Sequence, residues 1–280
     1  MRQSQEALLG DLATYLFYMI IGIFFIFPIF WSFSVALGSQ EDVLFDGLRI
    51  LPKNPTLENF KAVLAFPVFN LYLWNALKLS FFGALGASLI CLPSAYAFSR
   101  FDWKGRKTAL ILILVFKMFS GIIILVPLYR YLRMMGLLDS HLVVICVYIG
   151  VQIPMTTWLL KGFCDKVPRS LEESAMIDGC SRLGAMFRVV LPTLISGLMA
   201  SFIINIITNW GNFIIPFILL SKPKLLPIAV GLLKFQGDYE GGGQELVAAA
   251  SVLSILPAVL IFVLLQRMII KSMTTGAVKG

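Results

Sequence analysis

Charge is scarce in this sequence: Asp, Glu, Lys and Arg make up 14% of its 280 residues, hydrophobic residues 59%, and the mean hydropathy is +0.88. Soluble domains carry about a quarter charged and about half apolar residues, so water is excluded as the main solvent. Histidine is limited to His141. One imidazole cannot build a metal site, and its place at the edge of an apolar run suits a solvated or capping role. The four cysteines, Cys91, Cys146, Cys164 and Cys180, have spacings that fit neither zinc nor a disulfide framework. As small hydrophobes they read as packing residues without a redox role. No stretch matches G-x-x-x-x-G-K-[ST], the loop whose amides and lysine hold nucleotide phosphates. No nucleophile–base pair or metal cluster marks an enzyme, and there is no internal repeat or low-complexity segment.

What is abundant is long apolar runs, at about Tyr15–Val35, Leu73–Phe98, Thr108–Leu128, Leu142–Phe163, Thr193–Leu220 and Val247–Ile270. A hydrocarbon core about 30 Å thick needs roughly 20 apolar residues per helix, so the sequence predicts an all-α polytopic membrane protein with about six transmembrane helices. The first run exceeds the length of a signal-peptide apolar region and lacks a small-residue cleavage site, so it is expected to be retained. Pro28, Pro93, Pro127, Pro154, Pro216 and Pro257 fall inside runs. There they either shape the bundle or act as hinges or cavity linings.

The formal net charge is +8, yet the basic residues sit at the ends of apolar runs and form no solvated patch for nucleic acid. Arg100, Lys104, Arg106 and Lys107 cluster between the second and third runs. Basic residues near span ends are retained on the cytoplasmic side, which places both termini in the cytoplasm. An ion-coupled transporter needs carboxylates within its spans, and the runs as drawn hold none.

The polar segment 164–191 is long but patterned. Ser170 and Glu173 have capping-box spacing for a short helix; Leu171, Ala175 and Ile177 are its expected apolar side, and Gly179 its expected stop. A second short helix then leads to Pro192. A small helix-turn-helix with acidic residues at its start suits insertion into a partner's groove.

The string Glu173-Ser174-Ala175-Met176-Ile177-Asp178-Gly179, followed by Pro192, resembles the Glu-Ala-Ala loop of binding-protein-dependent ABC importer permeases. Ala95-Tyr96-Ala97-Phe98-Ser99-Arg100 with Gly105-Arg106, Pro127-Leu128-Tyr129 and the terminal Thr275-Gly276-Ala277-Val278-Lys279-Gly280 resemble the carbohydrate-uptake branch, the maltose-permease-like second membrane subunit. Ser174 and Cys180 stand where alanine is usual, Met186 where an aromatic is common, and Trp210-Gly211-Asn212 replaces the commoner Trp-Asn pair.

The resemblance implies the type I importer fold, with one permease domain over 1–280, core spans at about 70–270, a coupling helix in the loop 164–191 and a cytoplasmic tail at 271–280. It implies multi-pass residence in a bacterial or archaeal cytoplasmic membrane. The implied partners are a homologous second permease, two ATPase subunits that hold ATP and Mg2+, and an extracytoplasmic solute-binding protein. No cofactor or metal is expected on this chain. Glu172, Glu173, Ala175, Asp178 and Gly179, with Gly276, Lys279 and Gly280 of the tail, are the implied ATPase-coupling residues. The implied cargo is a sugar or oligosaccharide; glycerol-phosphate and acidic-oligosaccharide importers share the pattern.

Polar groups within spans face a cavity or a partner. Lys117, near the middle of the third run, faces either the cargo pathway or the partner permease. Asn205 and Asn209 share a helix face at i, i+4, with Trp210 and Asn212 close by. They suit sugar hydroxyls and equally suit helix–helix hydrogen bonds, and Tyr148 and Gln152 pose the same choice.

Overall fold

The computed structural model describes residues 2–39, 51–119, 121–237 and 243–274, and their regular structure is helical. This is the expected solution for a chain with so little charge. In hydrocarbon every peptide N–H and C=O needs a partner, and a helix supplies it within its own segment. By packing, the chain divides into two compact units, Met1–Phe69 with Leu232–Leu256 and Asn70–Gly231 with Pro257–Gly280.

In the first unit, α1 (Arg2–Leu37) is followed by α2 (Glu58–Ala65). The open end of α1 is closed by a side chain. Asn59 Nδ2 donates to the carbonyls of Ala36 and Gly38, both at 2.8 Å, which satisfies acceptors that a helix terminus leaves free. Phe33 and Phe60 pack beside this cap with ring centroids 6.1 Å apart.

The second unit contains α3 (Pro67–Arg100), α4 (Arg106–Met118), α5 (Gly121–Met134), α6 (His141–Lys166), α7 (Arg169–Ile177), α8 (Arg182–Ala185), α9 (Leu191–Trp210) and α10 (Ile214–Leu219). After them come α11 (Ile228–Gly237) and α12 (Gln244–Thr274). Helix α6 is the hub, packing against α3, α4, α9 and α10. At one end of the bundle, Cys91, Leu92, Ala95 and Tyr96 of α3 form a buried core with Leu160 and Cys164 of α6 and with Met186, Val190 and Leu194 before and within α9. Cys91 and Cys164 are therefore packing residues; Cys146 is exposed, Cys180 half-buried, and all four thiols are free.

Among the described residues, five helices are long and apolar enough to cross a membrane: Thr14–Leu37 within α1, α3, α6, the run Arg182–Trp210, and Gln244–Leu264 within α12. The third apolar run is not one straight span. It breaks at Phe119, whose backbone is extended (φ −71°, ψ 137°), and α4 and α5 meet at 86°. The fifth run also differs from its drawn limits. It starts at Arg182, passes through a π-helical turn at Met186–Val190, and ends at Trp210 rather than Leu220. Pro192 has no N–H to donate, which explains the irregular turn beside it. The last helix begins at Gln244, so its first turn carries Glu245, a buried carboxylate absent from the run as drawn.

At the end of α6 opposite α7, one connecting segment is held by side chains from α3 and from the α5–α6 loop and α6. Asn75 Nδ2 donates to the carbonyls of Lys224 (3.0 Å) and Leu226 (3.1 Å), and His141 Nε2 lies 2.8 Å from the Leu225 carbonyl. His141 thus fills the capping role expected of it. Asp139, in the left-handed region (φ 57°), accepts from the Ser221 N–H, the Ser221 hydroxyl and the Lys222 N–H. Burial pushes the Asp139 carboxyl up, but these donors outweigh it and hold it below the usual carboxylate range. A depressed carboxylate stabilises the fold above its unfolded pKa, and that contribution is lost as pH falls through the lower folded value. The thermal midpoint of wild-type protein in detergent is therefore expected to exceed that of Asp139→Asn at pH 7, and the gap to close below about pH 4, near the unfolded pKa. A gap independent of pH contradicts this account.

Candidate functional site

Helix α7 stands between the ends of α6 and α9, and its sequence determines which face is buried. Glu172 and Ala175 are buried and Met176 is half-buried, whereas Leu171, Glu173, Asp178 and Gly179 are exposed and Ile177 is 86% exposed. The expected apolar side is thus corrected. Only Ala175 of the expected three faces inward, because positions 172, 175 and 176 form the inner stripe of the helix, and Leu171 and Ile177 lie on the open face.

The expected capping box is also absent. Pro168 occupies the N-cap and makes no side-chain cap bond, and Ser170 lies inside the helix, its carbonyl accepting from the Ser174 hydroxyl at 2.9 Å. Proline supplies a fixed φ suited to a helix start, so the helix begins before Ser170. Its other end follows the expectation. Gly179 adopts φ +91°, its N–H bonds the Met176 carbonyl at 3.1 Å, and the Cys180 N–H bonds the Ala175 carbonyl at 3.0 Å. This is a Schellman closure, which favours glycine because a side chain in the left-handed region costs roughly 1–2 kcal/mol. Ser181 caps the next helix by accepting the Gly184 N–H at 3.1 Å.

The inner stripe includes a carboxylate, and a buried carboxylate needs a partner. Arg100, the last residue of α3, supplies it. Its Nε pairs with Glu172 Oε1, both side chains being 8% exposed. Glu172 Oε2 accepts from the Tyr96 hydroxyl at 2.9 Å, and Arg100 Nη2 donates to the Val167 carbonyl at 2.8 Å. Around this pair, Ser99 Oγ donates to Asp165 at 2.6 Å, Arg169 reaches the Ser99 carbonyl, and Lys161 pairs with Asp165 at 2.6 Å. The Arg182 guanidinium lies over the Phe101 ring at 5.0 Å. Removing one partner of a buried ion pair typically costs 3–5 kcal/mol, roughly, because a charge is stranded.

Tyr96, Ser99, Arg100, Asp165 and Val167 were not singled out from the sequence as site residues. Arg100 counted as a charge at a span end and as part of the resemblance string Ala95–Arg100, not as a site residue. The signal that finds it is the i, i+3 stripe of Glu172 and Ala175, which turns the carboxylate inward and so demands a cation. The tail residues Gly276, Lys279 and Gly280 lie outside the described residues.

The intramembrane polar residues meet across α3, α6 and α9. Gln152 Nε2 donates to Asn209 Oδ1 (2.5 Å) and to the Asn205 carbonyl (3.3 Å). Thr156 and Asn205 exchange hydrogen bonds at 3.2 and 3.0 Å. The Tyr148 hydroxyl donates to the Asn209 carbonyl and Asn209 Nδ2 to the Ser80 carbonyl, each at 3.4 Å. Tyr148, Gln152, Asn205, Asn209 and Trp210 are all buried.

Lys117 lies in the last turn of α4, beside the break and not at mid-span, and its Nζ is 3.4 Å from the Val151 carbonyl. Asn212 Oδ1 accepts the Ile215 N–H as α10 begins. Lys117 and Asn212 line the same cavity of about 530 Å³, whose other walls are mainly apolar, among them Phe116, Leu128, Val147 and Pro154.

The binding-protein-dependent transport system inner membrane component family matches residues 7–275. The galactooligosaccharides transport system permease protein GanQ of Bacillus subtilis is 33% identical over 274 residues, covering 96% of this chain and 95% of that protein. The maltodextrin transport system permease protein MdxG of Bacillus subtilis is 30% identical over 280 residues, covering 100% of both. Among solved structures, a bacterial ABC transporter involved in the import of the acidic polysaccharide alginate superposes with a TM-score of 0.79 at 22% identity, over 92% of this chain and 96% of that one.

Gly83 of α3 brings the polar layer together, since a Cβ there would lie 2.7 Å from Asn209 Nδ2 and 3.0 Å from Tyr148 Cβ. Gly83→Val is expected to destabilise the detergent-solubilised protein by about 1–3 kcal/mol through overpacking, read as a lower thermal midpoint. Gly162→Ala, where a Cβ meets nothing within 4 Å, leaves the midpoint unchanged or raises it.

Proposed function

The chain belongs to the binding-protein-dependent transport system inner membrane component family, and on that premise we propose that it is one of two membrane subunits of an ATP-driven importer of a sugar or oligosaccharide. A solute-binding protein delivers the cargo, a homologous permease forms the other half of the pathway, and two ATPase subunits bind ATP and Mg2+. Nucleotide-driven movement of α7 then opens the pathway to one side at a time by rigid-body rotation. The coupling end faces the cytoplasm, because Arg100, Lys104, Arg106 and Lys107 gather on the α7 side of the bundle. With α4 and α5 together counted as one crossing the spans number six, which places both termini on that side.

The observation that carries the proposal is α7 itself. Its outer face presents Leu171, Glu173, Ile177 and Asp178 to solvent, while Glu172 fastens the helix from behind. Relatives whose names specify galactooligosaccharides and maltodextrin support the cargo class. In proteoliposomes containing all subunits, Gly179→Pro is expected to abolish uptake and cargo-stimulated ATPase activity while the complex still assembles, since proline cannot adopt the φ of +91° found there. Unchanged coupling in that variant contradicts the assignment.

A second cargo class, acidic oligosaccharides or glycerol-phosphate, is favoured by one observation: Lys117 is the cation of the cavity at the α4–α5 break. If it serves such cargo, Lys117→Met lowers uptake of acidic sugars roughly tenfold, the loss of one charge-assisted hydrogen bond, and spares neutral ones. Unchanged uptake of both removes this reading.

A further inference from the structure

The outer face of α7 is where a partner docks; the inner face decides which part of the permease follows it. Through the chain, α7 connects to α6 across Val167-Pro168 and to α9 across the turn at Gly179 and the short α8. The connection toward α9 passes through a left-handed glycine around which a Cβ would meet nothing within 4 Å, and beyond it α7 packs against α8 and the π-helical turn but is joined to them by no described ion pair. No covalent link joins α7 to α3. Yet both carboxylate oxygens of Glu172 are taken by α3, one by Arg100 Nε and the other by the Tyr96 hydroxyl. The same guanidinium holds the Val167 carbonyl at 2.8 Å, where α6 hands over to α7.

We propose that Arg100 is a positioning residue that makes α7 and the last turns of α3 move as one body, so that a displacement imposed on the docking helix passes directly into α3. This rests on the assignment of α7 as the ATPase-docking helix. The physical reason is the asymmetry of buried charge. Sliding α7 past α3 would strand two ions that are each 8% exposed, whereas rotation about Gly179 breaks none of the described ion pairs. The end of α3 is in turn packed into the core formed with α6 and the start of α9 through Cys91, Leu92, Ala95 and Tyr96. A pull on Arg100 therefore reaches the interior of the bundle and not just its rim.

The test uses the complete transporter in nanodiscs, with Cys146→Ser and Cys180→Ser to remove the more accessible thiols. Spin labels are placed at Ser170→Cys on α7 and Ala97→Cys on α3. Electron–electron distances are compared between the nucleotide-free state and the state trapped with MgATP and orthovanadate. With Arg100 and Glu172 present, the α7–α3 distance is expected to stay unchanged while the Ser170 label is immobilised on trapping. In Arg100→Met/Glu172→Gln, which strands no charge, the complex still assembles. Its α7–α3 distance is expected to broaden and shift by a few ångströms, on the scale of helix shifts at interfaces. Arg100→Lys keeps the charge but loses the fork that reaches Glu172 and Val167 together, and is expected to broaden the distribution even if the double variant does not assemble. An α7–α3 distance that changes on trapping with the pair intact overturns the proposal. So does a distance that stays fixed in the altered variants. A Ser170 label whose mobility ignores trapping shows instead that α7 does not engage the ATPase, which removes the proposed function itself.

Discussion

A polar group in hydrocarbon, or sealed behind a helix, has no water to fall back on and must find its partner within the protein. Most of this structure follows from that constraint. It makes the spans helical, it draws Gln152, Thr156, Asn205 and Asn209 together across α6 and α9, and it forces Glu172 onto Arg100. The two polar layers differ in kind. The intramembrane layer consists of neutral amides and hydroxyls that fasten neighbouring spans; the layer behind α7 is ionic and ties a short helix, which otherwise packs on α8 and the π-helical turn, to the end of α3.

The separation of faces on α7 gives the functional reading its physical content. A docking helix has to present groups to a partner and also resist being pulled off its own subunit. In the proposed reading Glu173 and Ile177, with the C-cap residue Asp178, serve the first need, and Glu172 and Ala175 the second, on opposite faces of one nine-residue helix and its cap. Adjacent glutamates therefore have opposite assignments. Under the proposed function, Glu172 stays with the permease and Glu173 is offered to the ATPase. At the other end of α6, the segment before α11 is held by Asn75, Asp139 and His141 through its backbone, which leaves Lys222 and Lys224 exposed.

Much of the fold was legible in the sequence because apolar runs and basic flanks report directly on hydrocarbon thickness and helix ends. The run limits were less legible. The break at Phe119 leaves no gap in hydropathy, so Thr108–Leu128 reads as one span although α4 and α5 meet at 86°. The stop at Trp210 is hidden in the same way, because α10 (Ile214–Leu219) with its caps Phe213 and Leu220 continues the apolar run. In the loop, Gly179 was legible because a helix-ending left-handed residue favours glycine. The capping box at Ser170 misled because Pro168 starts the helix earlier, which shifts Ser170 inside it. Arg100 was invisible as a site residue: its partner lies 72 positions away, and span-end arginines have a sufficient explanation in topology alone.

The central claim is that the outer face of α7 is the surface against which an ATPase subunit works. The most direct measurement places a photoreactive benzoylphenylalanine at Ile177, 86% exposed on that face, and another at Leu142, 70% exposed at the far end of α6, in membranes containing all subunits. The account predicts that Ile177 cross-links to the ATPase subunit in a manner that changes with MgATP, while Leu142 does not cross-link to it. Cross-linking of Ile177 to lipid alone, or ATPase adducts from both positions, would contradict it.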